Sequence, residues 1–196
     1  MNENILQNLE HLQKQSFFLK EKFSKTENKK WSASTVASEL VLQITHLAYS
    51  LLGTNERRDI YPTPGIDKGT KDELSDVLFN ALNLLIFLNL TIVDINKSML
   101  IIANDTRSSN VTSVLNLMIQ SANLWDNVAR LDGYKHLDKD CDKTLDQVKL
   151  GIAGIIQFIF IIAQQQKVDL ICAMKEMFID ADRFIKSHED KKFKNE

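Results

Sequence analysis

The sequence predicts an all-α helical bundle made of two tandem repeats, and three observations predict it. Apolar residues recur at helical spacing along most of the chain, as in Ile5, Leu6, Leu9 and Leu12. Breakers are scarce: six glycines and two prolines in 196 residues favour long helices with few turns. Two blocks recur in the same order. Leu117-Met-Ile-Gln120-Ser-Ala-Asn123-Leu124 echoes Leu40-Val-Leu-Gln43-Ile-Thr-His46-Leu47, 77 residues earlier. Val168-Asp169-Leu170 with Met174 echoes Val93-Asp94-Ile95 with Met99, 75 residues earlier.

The elements follow in order. Residues 3–24 form a first helix within an N-terminal segment 1–30, and Lys25 to Lys30 is a charged break. Ser32 or Ser34 caps a second helix running to about Leu52, with Gly53 just past its end. Residues 53–70, containing Tyr61-Pro62-Thr63-Pro64-Gly65, read as a long loop. Thr70 or Asp72 opens a third helix to about Asn89, and a short fourth helix follows Asp94 and reaches about Thr106. The second half repeats the plan, giving about seven helices. The repeats span 31–108 and 109–190, and 191–196 is a tail whose lysines read as solvated.

Composition narrows the function. Lys and Arg total 24 against 26 Asp and Glu, so no basic field points to nucleic acid. Cys141 and Cys172 form no CxxC pair and no disulfide framework; Cys172 reads as a small core residue. The polar N-terminus lacks a signal-peptide pattern, so a cytoplasmic protein is expected. The most apolar run, Gly151 to Ala163, is shorter than the roughly 20 residues a membrane helix needs. It reads as a buried core helix. No phosphate-binding glycine loop, nucleophile elbow or zinc motif is present.

The chemistry concentrates in Lys71-Asp72-Glu73-Leu74-Ser75-Asp76-Val77-Leu78. Glu73 and Asp76 stand three residues apart, on one face of a helix whose other residues are apolar. A buried carboxylate needs a cation, hydrogen-bond donors or a metal. Oxygen ligands favour Mg²⁺ or Mn²⁺. Asp72 and Glu73 also meet the positive end of the helix dipole, a structural role that does not extend to Asp76.

Glu73-Leu-Ser-Asp76-Val-Leu, the apolar run after it and Leu90-Thr-Ile-Val-Asp94-Ile resemble the second half of the all-α nucleoside triphosphate pyrophosphohydrolase superfamily. That group comprises the MazG proteins, the dCTP pyrophosphatases and the dimeric dUTPases. Its signature is Glu-x-x-Glu, a spacer, then Glu-x-x-Asp. Gln43 and His46 fall where the first acidic pair belongs, so this chain keeps two of the four acids.

The resemblance implies a MazG-like bundle that converts a nucleoside triphosphate to the monophosphate and pyrophosphate. Glu73 and Asp76 take the catalytic role and hold Mg²⁺ or Mn²⁺, with His46, Gln43 and Glu39 completing the shell. Trp31 resembles the base-stacking aromatic of dCTP pyrophosphatase-like members, although a hydrophobic staple is the simpler reading. Asn104 and Arg107 resemble triphosphate-holding residues, Lys71 flanks the site as a point charge, and Asn80 faces a phosphate, a sugar or Asp76. Relatives pair two chains; here the second repeat supplies the partner internally, or the chain forms a homodimer.

Two rivals remain open. One is a catalytically degenerate member that keeps the fold as a nucleotide-binding or protein-interaction scaffold, supported by acids missing from both halves. The other is an unrelated helical adaptor, which predicts no face-to-face packing of helix 35–52 on helix 71–89.

Overall fold

The computed structural model describes residues 3–24, 30–52, 69–101, 110–136 and 140–192. Among them are seven helices and no strand: α1 (Glu3–Phe23), α2 (Ala33–Leu51), α3 (Thr70–Phe87), α4 (Ile92–Ile101), α5 (Asn110–Leu131), α6 (Cys141–Gln165) and α7 (Leu170–Lys192). The all-α class holds. Residues 53–68, including the expected proline loop, lie outside the described residues, as do Asn104 and Arg107.

Local chemistry explains the helix ends. Ser32 caps α2: its hydroxyl accepts from the Thr35 amide, and the Thr35 hydroxyl accepts in return from the Ser32 amide. Asp140 accepts from the Lys143 amide at the start of α6. The fourth helix starts earlier than its sequence predicts, and its expected end near Thr106 lies outside the described residues. The Thr91 amide and hydroxyl donate to Asp94 Oδ2 at 2.6 and 2.7 Å, which places Asp94 inside the first turn rather than before it. These two hydrogen bonds hold the Asp94 carboxyl below its ordinary value.

The helix α3 lies at the centre and packs on α1, α2, α6 and α7. Leu74, Val77, Leu78, Ala81, Leu82, Leu84 and Leu85 are fully buried there. The α2–α3 contact is the most extensive in the molecule, which overturns the prediction of the unrelated-adaptor reading. The remaining pairs among the repeats are α5–α6, α2–α5, α4–α6, α3–α7 and α3–α6. Exchanging α2 with α5, α3 with α6 and α4 with α7 maps this set of pairs onto itself.

The turns follow the same exchange. Asn89 has φ 56° and Lys167 has φ 57°, both left-handed. The Leu90 amide donates to the Leu85 carbonyl, and the Val168 amide to the Ala163 carbonyl, each at 2.8 Å.

The run Gly151 to Ala163 belongs to a longer helix, α6, of 25 residues. Its length and composition would allow it to cross a membrane, but 44% of its apolar window is buried inside the bundle. Val148, Ile152, Ile155, Ile156, Ile159 and Ile162 form the buried face. Cys172 is not a core residue: it is exposed in the first turn of α7, where its Sγ lies 3.6 Å from Glu176.

The helix α1 has no counterpart in the exchange and packs on α3 and α4 of the first half and on α7 of the second. Gln13 ties it to the α3–α4 turn by donating to the Leu90 carbonyl at 2.9 Å and accepting from the Ile92 amide at 3.1 Å. Gln13→Leu strips both backbone groups of their partner at once. A loss of about 2 kcal/mol is expected in urea unfolding.

Between α1 and α7, Asp182 accepts from Lys186 and from Lys22. These ammonium groups pull its carboxyl from an ordinary 3.8 down to about 2. A carboxyl depressed by folding contributes stability above its unfolded value and loses that contribution as pH falls through the folded one. Between pH 3.8 and about 2, wild-type protein should therefore lose more stability than Asp182→Asn, as measured by acid titration of the thermal midpoint.

Candidate functional site

One face of α2 carries Val36, Glu39 and Gln43, and one face of α3 carries Asp76, Asn80, Asn83 and Phe87. Spacings of three and four residues put each set on a single stripe. Because α2 packs on α3 and α1 on α3, the stripes meet beneath the C-terminal end of α1. They enclose a cleft of about 990 Å³, also lined by Lys20, Glu21, Phe23, Ser24, Lys30, Trp31 and Phe79.

Five predicted residues thus share one cleft: Trp31, Glu39, Gln43, Asp76 and Asn80. The Gln43 Nε2 donates to Glu39 Oε1 at 2.8 Å, and the Asn80 Nδ2 donates to the Asp76 carbonyl at 2.9 Å. The Lys20 ammonium sits 4.3 Å from the Phe87 ring centroid, a cation–π contact at the rim.

Glu73 and His46 stand together but behind the cleft wall. Glu73 is 1% exposed, and its Oε2 lies 3.9 Å from His46 Nδ1, an ion pair when the imidazole is protonated. Neither residue lines the cleft.

Lys71 is a correction. It belongs to the far side of α3, where its ammonium pairs with Glu176 of α7 and is held above its ordinary value by that hydrogen bond. The same pairing lowers the Glu176 carboxyl. Lys71 does not line the cleft and is not placed to meet a ligand there.

The expected metal shell also needs correction. Among the described residues, no three His, Cys, Asp or Glu side chains come together where they could hold one metal ion. Glu39 and Asp76 open on the cleft, whereas Glu73 turns to His46 behind it. The substitution of Gln43 and His46 for acids leaves too few anionic oxygens to neutralise two Mg²⁺ or Mn²⁺ ions. The donor set does not fit the two-metal nest that the resemblance implies.

Lys20, Lys30, Phe79, Asn83 and Phe87 were missed by the sequence reading. Asn83 and Phe87 carried a usable signal, because they extend the Asp76–Asn80 stripe by three and seven residues. Lys30 stands beside Trp31 in sequence, whereas Lys20 carried no signal, since only the packing of α1 on α3 brings it to the cleft.

No family model, no curated protein and no solved structure matches this chain. The resemblance to the MazG-like superfamily therefore rests on its residues alone.

Proposed function

We propose that this chain is a catalytically degenerate, MazG-like nucleotide-binding protein that holds a nucleoside triphosphate in the α1–α2–α3 cleft without cleaving it. The observation that carries the proposal is a cleft that gathers aromatic, amide and lysine side chains while lacking a metal-ligand cluster among the described residues. The rings of Trp31, Phe79 and Phe87 offer stacking faces to a base. Lys20 and Lys30 offer point charges to phosphates at the rim.

A pairing of helices that is symmetric between the two halves supports the same reading. The helix pairs survive exchange of the two halves, and the turns at Asn89 and Lys167 set the register between α3 and α6. In that register Gly151 stands opposite Glu73, and Gly154 opposite Asp76. A Cβ on Gly151 would meet Leu124 Cδ1 at 3.3 Å, so the second half uses this position for close helix packing. The second repeat then acts as the scaffold that a partner chain provides in relatives, leaving one site per chain.

The second reading is a divergent pyrophosphohydrolase, favoured by the two carboxylates, Glu39 and Asp76, on one cleft wall. One experiment separates the two. Nucleoside triphosphates are titrated against Trp31 fluorescence, with Trp31→Phe as the control for signal from Trp125. Pyrophosphate release is followed in parallel with Mg²⁺ and with Mn²⁺. Saturable binding without release is expected. Release that disappears in Asp76→Ala establishes the hydrolase instead, and absence of binding overturns both readings.

A further inference from the structure

We infer that the outward face of α2 and α5 is a self-association surface, on which a second copy of this chain docks to form a two-fold dimer. The inference is independent of the nucleotide reading.

Helical spacing defines the face. Ser38, Leu42 and Thr45 form an exposed stripe on α2. Leu115, Ile119 and Ala122 form an exposed stripe on α5, each 77 residues after its counterpart. The Ser34 amide donates to Asp132 at 3.0 Å and the Trp125 indole to Ser38 at 2.7 Å. The start of α2 therefore lies against the end of α5, and the stripes run antiparallel. The helix α2 packs on α3 and α5, and α5 packs on α2 and α6, so the pair is an outer layer. Leu42 is 46% exposed and Ile119 is 60% exposed on its open side.

The face has the chemistry of an interface. Residues 110–125 contain no charged side chain, in a chain that is 26% charged. Within α2, Glu39 turns to the cleft and His46 to Glu73, which leaves the outer stripe uncharged. Leu42, Leu115, Met118 and Ile119 thus expose apolar surface with no charge among them, the depletion that marks an interface centre. The hydroxyls between them are ready for burial. Ser38 donates to the Ser34 carbonyl at 2.9 Å and Thr45 to the Val41 carbonyl at 3.0 Å, so covering them strands no donor.

The occupant follows from symmetry and area. Exchanging α2 with α5 carries Leu42 to Ile119, so the face nearly matches itself under a half-turn, as a two-fold interface requires. The two-helix layer is about 28 Å long and about 20 Å wide, which offers roughly 600 Å² per copy and about 1,200 Å² per dimer, the lower bound for a stable specific contact. An anionic membrane would call for lysine or arginine beside the apolar residues, and the stripes carry neither.

The test is sedimentation velocity of the full chain from about 1 to about 200 µM, joined to hydrogen exchange at both ends of that range. A shift from monomer to dimer is expected, with exchange slowing in residues 38–45 and 112–122. Leu42→Glu with Ile119→Glu should weaken the dimer at least about a hundredfold at an unchanged melting temperature, because like charges would be buried together. Leu42→Lys with Ile119→Lys should do the same, and an equimolar mixture of the two variants should dimerise again. A monomer at every concentration overturns the inference. So does a dimer unweakened by the glutamates, or one whose exchange slows elsewhere. Flotation of the wild type with vesicles of phosphatidylcholine and phosphatidylglycerol, without a dimer, would give the face to lipid and overturn the choice of occupant. The exchange map of the wild type decides the face even if a charged variant fails to fold.

Discussion

Leu78→Ala is expected to destabilise the protein by about 2–5 kcal/mol, the range for emptying a leucine-sized site in a core that relaxes only partly. Leu78 is fully buried, on a helix that packs against four others. Collapse of the site is therefore opposed from several sides, which places the expected loss in the upper half of that range. For a chain of this length each kcal/mol lowers the melting temperature by roughly 2–4 °C. Circular dichroism melts of wild type and variant check the figure. A loss under about 1 kcal/mol would mean that α3 is not the centre of the bundle.

Glu73→Leu is expected to act in the opposite direction and raise stability by about 1–4 kcal/mol. A carboxylate taken from water into the core pays a desolvation cost that its contacts, the His46 imidazole at 3.9 Å among them, offset only in part, and a well-packed apolar side chain removes it. His46 is not stranded by the change, since 22% of its side chain reaches solvent. The same variant separates the two functional readings. Glu73 does not line the cleft, so nucleotide affinity should stay within about threefold if the protein only binds. If the protein hydrolyses nucleotides through Glu73, release of pyrophosphate should vanish while the fold becomes more stable. A variant less stable than wild type would sink the desolvation argument.

The stripes on α2 and α3 show how much of the site was legible beforehand. Glu39, Gln43, Asp76 and Asn80 share faces through helical periodicity alone, and the cleft uses those faces. Periodicity also groups Glu73 with Asp76 on one face of α3, yet Asp76 lines the cleft and Glu73 does not. It has no means of telling that a one-turn offset puts Asp76 at the cleft and Glu73 behind it, because that depends on the depth at which α2 seats against α3. Lys71 illustrates the same limit. Its place beside the acids in sequence suggested a shared site, yet a helix turns by about 100° per residue, and two steps carry Lys71 from the face of Glu73 to α7.

What the sequence determined by itself is the set of local properties. Helix existence, the Ser32 cap, the scarcity of breaks and the charge-poor core all follow from periodicity and side-chain chemistry within a few residues. The tertiary structure alone decided which faces meet. The end of α1 packs on α3, which brings Lys20 into one cleft with Glu39, Asp76 and Asn80. The Gly151 position binds Leu124 closely where the first half buries Glu73. Such pairings depend on non-local packing, in which many apolar helices compete for the same partners and only the summed fit of all faces selects one arrangement.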